Sequence, residues 1–256
     1  AGRFRGDDDA VRGGNMIVVP LGDNGNWLIE TGGGSDTVAA LGGGNNTIGA
    51  GGGHNLIRLG SGQDSVESLG NDTVHGGSGS ETIDATSAQR DVIYGGASQL
   101  RYFAGAGPTT IFGGTGSVTT TGGTGREEIH GGLAGNNSIV AGSGPATLFG
   151  GGNGDQLIGG SGKVEFVAGI GNSTLTSGSG KDDFEFRMGM AGGNALIEDF
   201  KQGMDHIDLD GYGNRANQNA VATQMHPTPT STMVTLSDGT KITFADVTSL
   251  KVTDFH

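Results

Sequence analysis

The side chains in this sequence that could do chemistry are mostly acidic, and many sit in glycine-rich stretches. The chain has 27 acidic against 14 basic residues, a net charge of −13 with histidine neutral. Acidic residues recur in runs such as Gly33-Gly34-Ser35-Asp36, Gly60-Ser61-Gly62-Gln63-Asp64 and Gly76-Gly77-Ser78-Gly79-Ser80-Glu81. Carboxylates at fixed positions in tight turns suit a hard cation such as Ca²⁺, which takes about 6–8 oxygen ligands. The same charge makes nucleic acid and anionic membranes poor partners, because both need a basic surface.

Other chemistries lack their residues, and no catalytic residue is expected. His54, His75, His130, His206, His226 and His256 are scattered, without a His-Glu-x-x-His. Glu127-Glu128-Ile129-His130 belongs to a repeat. No Gly-x-Ser-x-Gly elbow sits between a strand and a helix. Asp182 and Asp183 are neighbours, so on a strand they point to opposite faces and cannot work as an acid/base pair. Arg5-Gly6-Asp7 is expected by chance in a chain this rich in Gly and Asp. There is no Cys, which excludes disulfides and thiolate metal sites. No apolar run approaches the roughly 18 residues of a membrane span. The start, Ala1-Gly2-Arg3-Phe4-Arg5, lacks a signal-peptide core.

The elements that must hold these carboxylates follow from a period. Glycine supplies 55 of 256 residues, far above the usual ~7%. An apolar residue returns almost every nine positions: Val38, Ile48, Ile57, Val66, Val74, Ile83, Ile93, Phe103, Ile111, and on to Phe184. Six Gly-rich turn residues and a three-residue strand such as Thr37-Val38-Ala39, with Val38 inward, explain the unit. Two units close one coil, and about eight coils at ~4.8 Å give a rod near 40 Å long. The fold class is therefore all-β: a parallel β-solenoid of nine-residue repeats with a C-terminal β-rich cap. The spacing places irregular repeats in residues 1–30, including Asp9-Ala10-Val11, and the solenoid in 31–186. A capping region follows in 187–256, with a polar loop over 214–230 and a hairpin through Met233–Leu236 and Lys241–Phe244.

This pattern resembles the RTX (hemolysin-type calcium-binding repeat) family, whose unit is Gly-Gly-x-Gly-x-Asp-x-(apolar)-x. Gly180-Lys181-Asp182-Asp183-Phe184 followed by Ile207-Asp208-Leu209 looks like the end of such a block. The resemblance implies a β-roll with Ca²⁺ between successive turns, and export by type I secretion from a Gram-negative bacterium. It carries metal ligation to the acidic slot two residues before the apolar one: Asp36, Asn46, Asn55, Asp64, Asp72, Glu81 and Asp91. In the second half the slot reads Thr109, Val118, Glu127, Asn137, Ala146, Asp155, Val164, Ser173 and Asp182. Only Asp155 and Asp182 join the expected ligands there, so ions are expected between about residues 33 and 95 and few from 100 to 175.

Calcium is thus the expected cofactor and partner, in a secreted or cell-surface protein that folds outside the cell and is not an enzyme. Its expected role is structural or adhesive, as a surface-layer, matrix or filament component able to self-associate into a polymer or array. The alternative is the non-catalytic secretion and folding module of a larger secreted enzyme or toxin.

Overall fold

The computed structural model describes residues 2–5, 14–190, 192–213, 215–223 and 225–255. The unit Asp9-Ala10-Val11 and the Gly6-Asp7 pair lie outside them. Strands of three to six residues alternate along the chain between two sheets. Among the described residues one sheet has eleven strands, all parallel; the other has fourteen, parallel up to the three antiparallel strands at its end. This is the β-roll that the period implies.

Register stacks like on like. Val38 lies over Ile57, Ile57 over Val74, Val74 over Ile93, and Ile93 over Ile111. In the other sheet Ile48 meets Val66 and Val66 meets Ile83. These columns face each other and are fully buried, a thin core one side chain deep per strand. The turns stack as tightly. A Cβ on Gly53, where φ is +99°, would lie 1.7 Å from the Gly34 carbonyl oxygen, and one on Gly116 would lie 1.5 Å from that of Ser98. Only hydrogen fits there.

Three features depart from the nine-residue reading. The acidic slot is a second inward-facing position, and Asp36, Asp64, Asp72 and Asp91 are all buried. The inward residue of its rung is Tyr102 rather than Phe103, since Tyr102 pairs with Ile83 and Thr120. The irregular step shifts the strand by one residue, and a one-residue shift swaps faces. Parallel stacking also continues past Phe186, through Asn194–Glu198 and His206–Asp210, and begins as early as Gly2–Arg5, which pairs with Trp27–Glu30. The roll therefore has more coils than the eight counted from residues 30–186.

The C-terminal end is closed. Lys241–Ala245 adds in parallel to Asn194–Glu198, then pairs antiparallel with Ser231–Thr235, the hairpin read from the sequence. An α-helix, Ala216–Thr223, occupies the segment expected to be loop. Among its described side chains Ala216 and Ala220 meet the core, both too small to give a helical apolar pattern in the sequence. The buried rings concentrate at this end: Phe166 and Phe184 stack at 4.8 Å, and Phe200 meets Phe244 edge-on at 5.3 Å.

Candidate metal centre

Both inward slot columns repeat one contact, broken at Glu81, whose Oε1 accepts the Gly77 N–H instead. The main-chain N–H of a slot residue donates to the slot side chain one coil further on. On one side Asp36 N reaches Asn55 Oδ1 at 3.0 Å, and Asn55 N reaches Asp72 Oδ1 at 3.1 Å. On the other, Trp27 N reaches Asn46 Oδ1 at 3.1 Å and Asn46 N reaches Asp64 Oδ1 at 2.9 Å. The structure thus gathers the predicted residues into two stacks, Asp36-Asn55-Asp72-Asp91 and Asn46-Asp64-Glu81.

What distinguishes the carboxylates is whether the second oxygen has a partner. Asp36 Oδ2, Asp64 Oδ2 and Glu81 Oε2 are buried and have none. Asp64 and Glu81 are register partners on adjacent coils, so two unpartnered oxygens belong to neighbouring rungs. Asp72 and Asp91 differ. Ser68 Oγ lies 2.6 Å from Asp72 Oδ2 and 2.9 Å from Asp91 Oδ1, and the Tyr102 hydroxyl donates to Asp91 Oδ2 at 3.1 Å. A serine hydroxyl has one hydrogen, so it satisfies one of these two carboxylates at a time.

In the second half the protein saturates its own acids. Glu127 accepts N–H bonds from Gly123 and Gly142. Asp155 Oδ1 accepts the main-chain and side-chain N–H of Asn137, and its Oδ2 accepts that of Gly151. Asp182 Oδ1 takes Val164 N, and its Oδ2 takes Ser177 Oγ and Gly178 N. Asp205, one coil beyond Asp182, shares Ser177 with it at 2.9 Å. Ser68, Ser177 and Tyr102 were not legible as site residues, because none occupies a slot of the uninterrupted repeat.

Electrostatics follow burial. It lifts Asp64 and Asp72 above their ordinary values. Burial, with the Asp64 charge adding to it, pushes Glu81 up to about 7. Asp91 rises to about 6, again chiefly by burial. Buried carboxylates without a full set of donors favour a proton or a cation. The donor set is all oxygen, which suits a hard divalent ion. Among the described residues no three His, Cys, Asp or Glu side chains gather into one metal cluster. Most ligands of such an ion would be backbone carbonyls of the glycine turns, and Asp36, Asp64 and Glu81 fit that arrangement.

Comparison with known families bears on the same stretches. Residues 30–66, 68–87 and 103–134 match the model of the RTX calcium-binding nonapeptide repeat. Residues 127–250 match that of the serralysin C-terminal domain of the M10 peptidases. The chain belongs to the RTX family. No curated protein matches it. The nonapeptides of this RTX chain are calcium-binding motifs. Neither matched segment is a catalytic peptidase domain. Among the described residues of the RTX chain, no helix is long and apolar enough to cross a membrane.

Proposed function

We propose that this calcium-binding β-roll is a folding element of a secreted protein, ordered by calcium once outside the cell. The carrying observation is the contrast between its halves. Asp36, Asp64 and Glu81 hold buried carboxylate oxygens that nothing in the protein satisfies. Calcium supplies the missing positive charge there; Asp155 and Asp182 are already satisfied by N–H and O–H donors. The ligands in this reading are the slots from Asp36 to Asp91, led by those three, with Asn46 and Asn55 holding neighbouring carboxylates in place through their Nδ2 groups. Without calcium, stacked acids repel and the glycine turns lose their ordering force. Metal binding then contributes directly to folding.

The serralysin-type match over 127–250 supports the reading that the roll is a non-catalytic module of a longer secreted protein, exported by type I secretion from a Gram-negative cell. A structural or adhesive role for the rod is the second reading, favoured by the stacked rings of Tyr94, Phe112 and His130 on the outer face of the eleven-stranded sheet. Hydrogen exchange with and without EGTA tests the folding role. Residues from about 33 to 95 are expected to lose protection on chelation, while those from about 100 to 186 keep most of theirs. Uniform protection in both buffers would remove calcium from the folding mechanism. Mass spectrometry of the native protein separates the two roles: a much longer chain with a catalytic segment favours the module.

A further inference from the structure

The last coils repeat a constellation from the calcium half and change one part of it. Ser68 follows the inward Val66 by two residues, and Ser177 follows the inward Leu175 by two, so both serines also face inward and are buried. Ser68 Oγ lies 2.6 Å from Asp72 Oδ2 and 2.9 Å from Asp91 Oδ1. Ser177 Oγ lies 2.9 Å from both Asp182 Oδ2 and Asp205 Oδ2. All four acids are buried, and each pair spans adjacent coils of the same slot column. Each pair therefore crowds two carboxylates around one hydroxyl hydrogen.

The two sites differ in what stands against that negative charge. Around Asp72 and Asp91 the side-chain donors are neutral: Asn55, Ser68 and Tyr102. No lysine precedes Lys163 in the sequence, and Arg58 and Arg90 are exposed. Around Asp182 and Asp205 a cation is built in. Lys201 donates its main-chain N–H to Asp205 Oδ2 at 2.8 Å, and its Nζ donates to the carbonyl oxygen of Gly178. Gly178 N in turn donates to Asp182 Oδ2 at 3.0 Å. The half-buried lysine thus reaches back one coil and sets its ammonium on a glycine-turn carbonyl, the kind of oxygen that calcium in this roll would use. Its turn is closed on itself, which fixes where the lysine stem leaves it. The Lys201 carbonyl accepts the N–H groups of Met204 and Asp205 at 3.0 and 2.8 Å, and Asp199 and Gly203 take φ of +59° and +78°.

We propose that Lys201 takes calcium's place at this rung: Asp182 and Asp205 bind no ion, and the C-terminal end of the roll stays ordered when calcium is removed. The inference rests on the reading that calcium fills slots between Asp36 and Asp91. An ammonium on the Gly178 carbonyl makes a charge-assisted hydrogen bond, offsets part of the charge of the buried acids, and repels a second cation from the same rung. The carboxylate oxygens agree with this. Asp182 Oδ1 takes Val164 N, Asp205 Oδ1 takes Asp182 N, and both Oδ2 atoms hold an N–H donor beside Ser177. A lysine ammonium is a compact point charge with three donors, so it can stand in for an ion without a bidentate partner.

Calcium alone is the probe. Equilibrium dialysis of the whole chain at about 1–5 mM Ca²⁺, where extracellular sites fill, counts the ions bound. Lys201→Met, which keeps an unbranched stem and removes the charge, should bind one ion more than the unaltered protein. Adding Asp205→Asn should remove that extra ion, and Lys201→Arg should add none. In EGTA, Lys201→Met should melt about 3 °C or more below the unaltered protein, and calcium should restore most of the difference. An ion count equal to that of the unaltered protein overturns the inference, whether the count is zero or several. A count of zero in the unaltered protein removes the calcium reading on its own, and an ion gained by Lys201→Met would still support the lysine's role. If Lys201→Met does not fold in calcium, Asp205→Asn alone decides: an unchanged count supports the inference, and the loss of one ion overturns it.

Discussion

Asn46 holds Asp64 by one oxygen. Its main-chain N–H and its Nδ2 both donate to Asp64 Oδ1 at 2.9 Å, one coil away, and Asp64 Oδ2 stays buried without a partner. Asn137 makes the same two bonds to Asp155 Oδ1, but there Gly151 N reaches the second oxygen at 2.7 Å. The slots look alike in sequence and differ in what they leave undone.

That difference predicts opposite mutational behaviour. Asp64→Asn keeps the Oδ1 acceptor and removes the buried charge. It should shrink the calcium-induced rise in Tm while leaving the Tm in EGTA unchanged or higher. Asp155→Ala strands three buried donors and should cost about 2–4 kcal/mol with or without calcium. Thermal melts of both variants in calcium and in EGTA check this; an equal calcium dependence for the two would contradict it.

A pH dependence follows from Glu81 and Asp91. In the calcium-free roll they are raised from 4.5 to about 7 and from 3.8 to about 6. Raised carboxyl values mean that the folded state favours the protonated form. Their contribution is complete below about pH 4 and disappears as pH rises through 6 to 7. The roll in EGTA should therefore melt roughly 5 °C or more higher at pH 5 than at pH 8. Calcium should flatten or reverse that slope, since it binds the ionised form. Identical melts at the two pH values in EGTA would count against the assignment.

Tyr102 closes the calcium half. Its hydroxyl lies 3.1 Å from Asp91 Oδ2 and 3.1 Å from Thr109 Oγ1, across the core at the rung where the other slot column turns apolar with Leu100 and Val118. Tyr102→Phe should cost about 1–3 kcal/mol in EGTA, because a buried acceptor loses its donor. It should also enlarge the calcium-induced stabilisation, since Asp91 gains an oxygen free for the ion. Calorimetry of calcium binding and of unfolding measures both.

Two glycines test turn stacking. Gly116→Ala places a Cβ 1.5 Å from the Ser98 carbonyl oxygen, whereas a Cβ on Gly52 meets nothing within 4 Å. Urea unfolding in calcium should show Gly116→Ala destabilised by about 2 kcal/mol or more, and Gly52→Ala within about 0.5 kcal/mol of wild type.

The nine-residue beat determined the roll, because a strand with one inward apolar residue every nine positions buries it only by coiling and stacking on itself. The run from Val38 to Ile93 was legible for that reason, as was the concentration of acids before Asp91. The hairpin at Met233–Phe244 was legible from its alternation around Ser237-Asp238-Gly239. Tertiary structure decided the rest. A one-residue shift turned Tyr102 inward in place of Phe103. Ala216 and Ala220 made a helix whose sequence shows no apolar face. Which carboxylates remain unsatisfied depends on where N–H and O–H donors from Gly151, Ser68, Ser177 and Tyr102 fall, one coil or more away. The period sets where each slot lies along its coil; a hydrogen bond is settled to within half an ångström by the coils above and below.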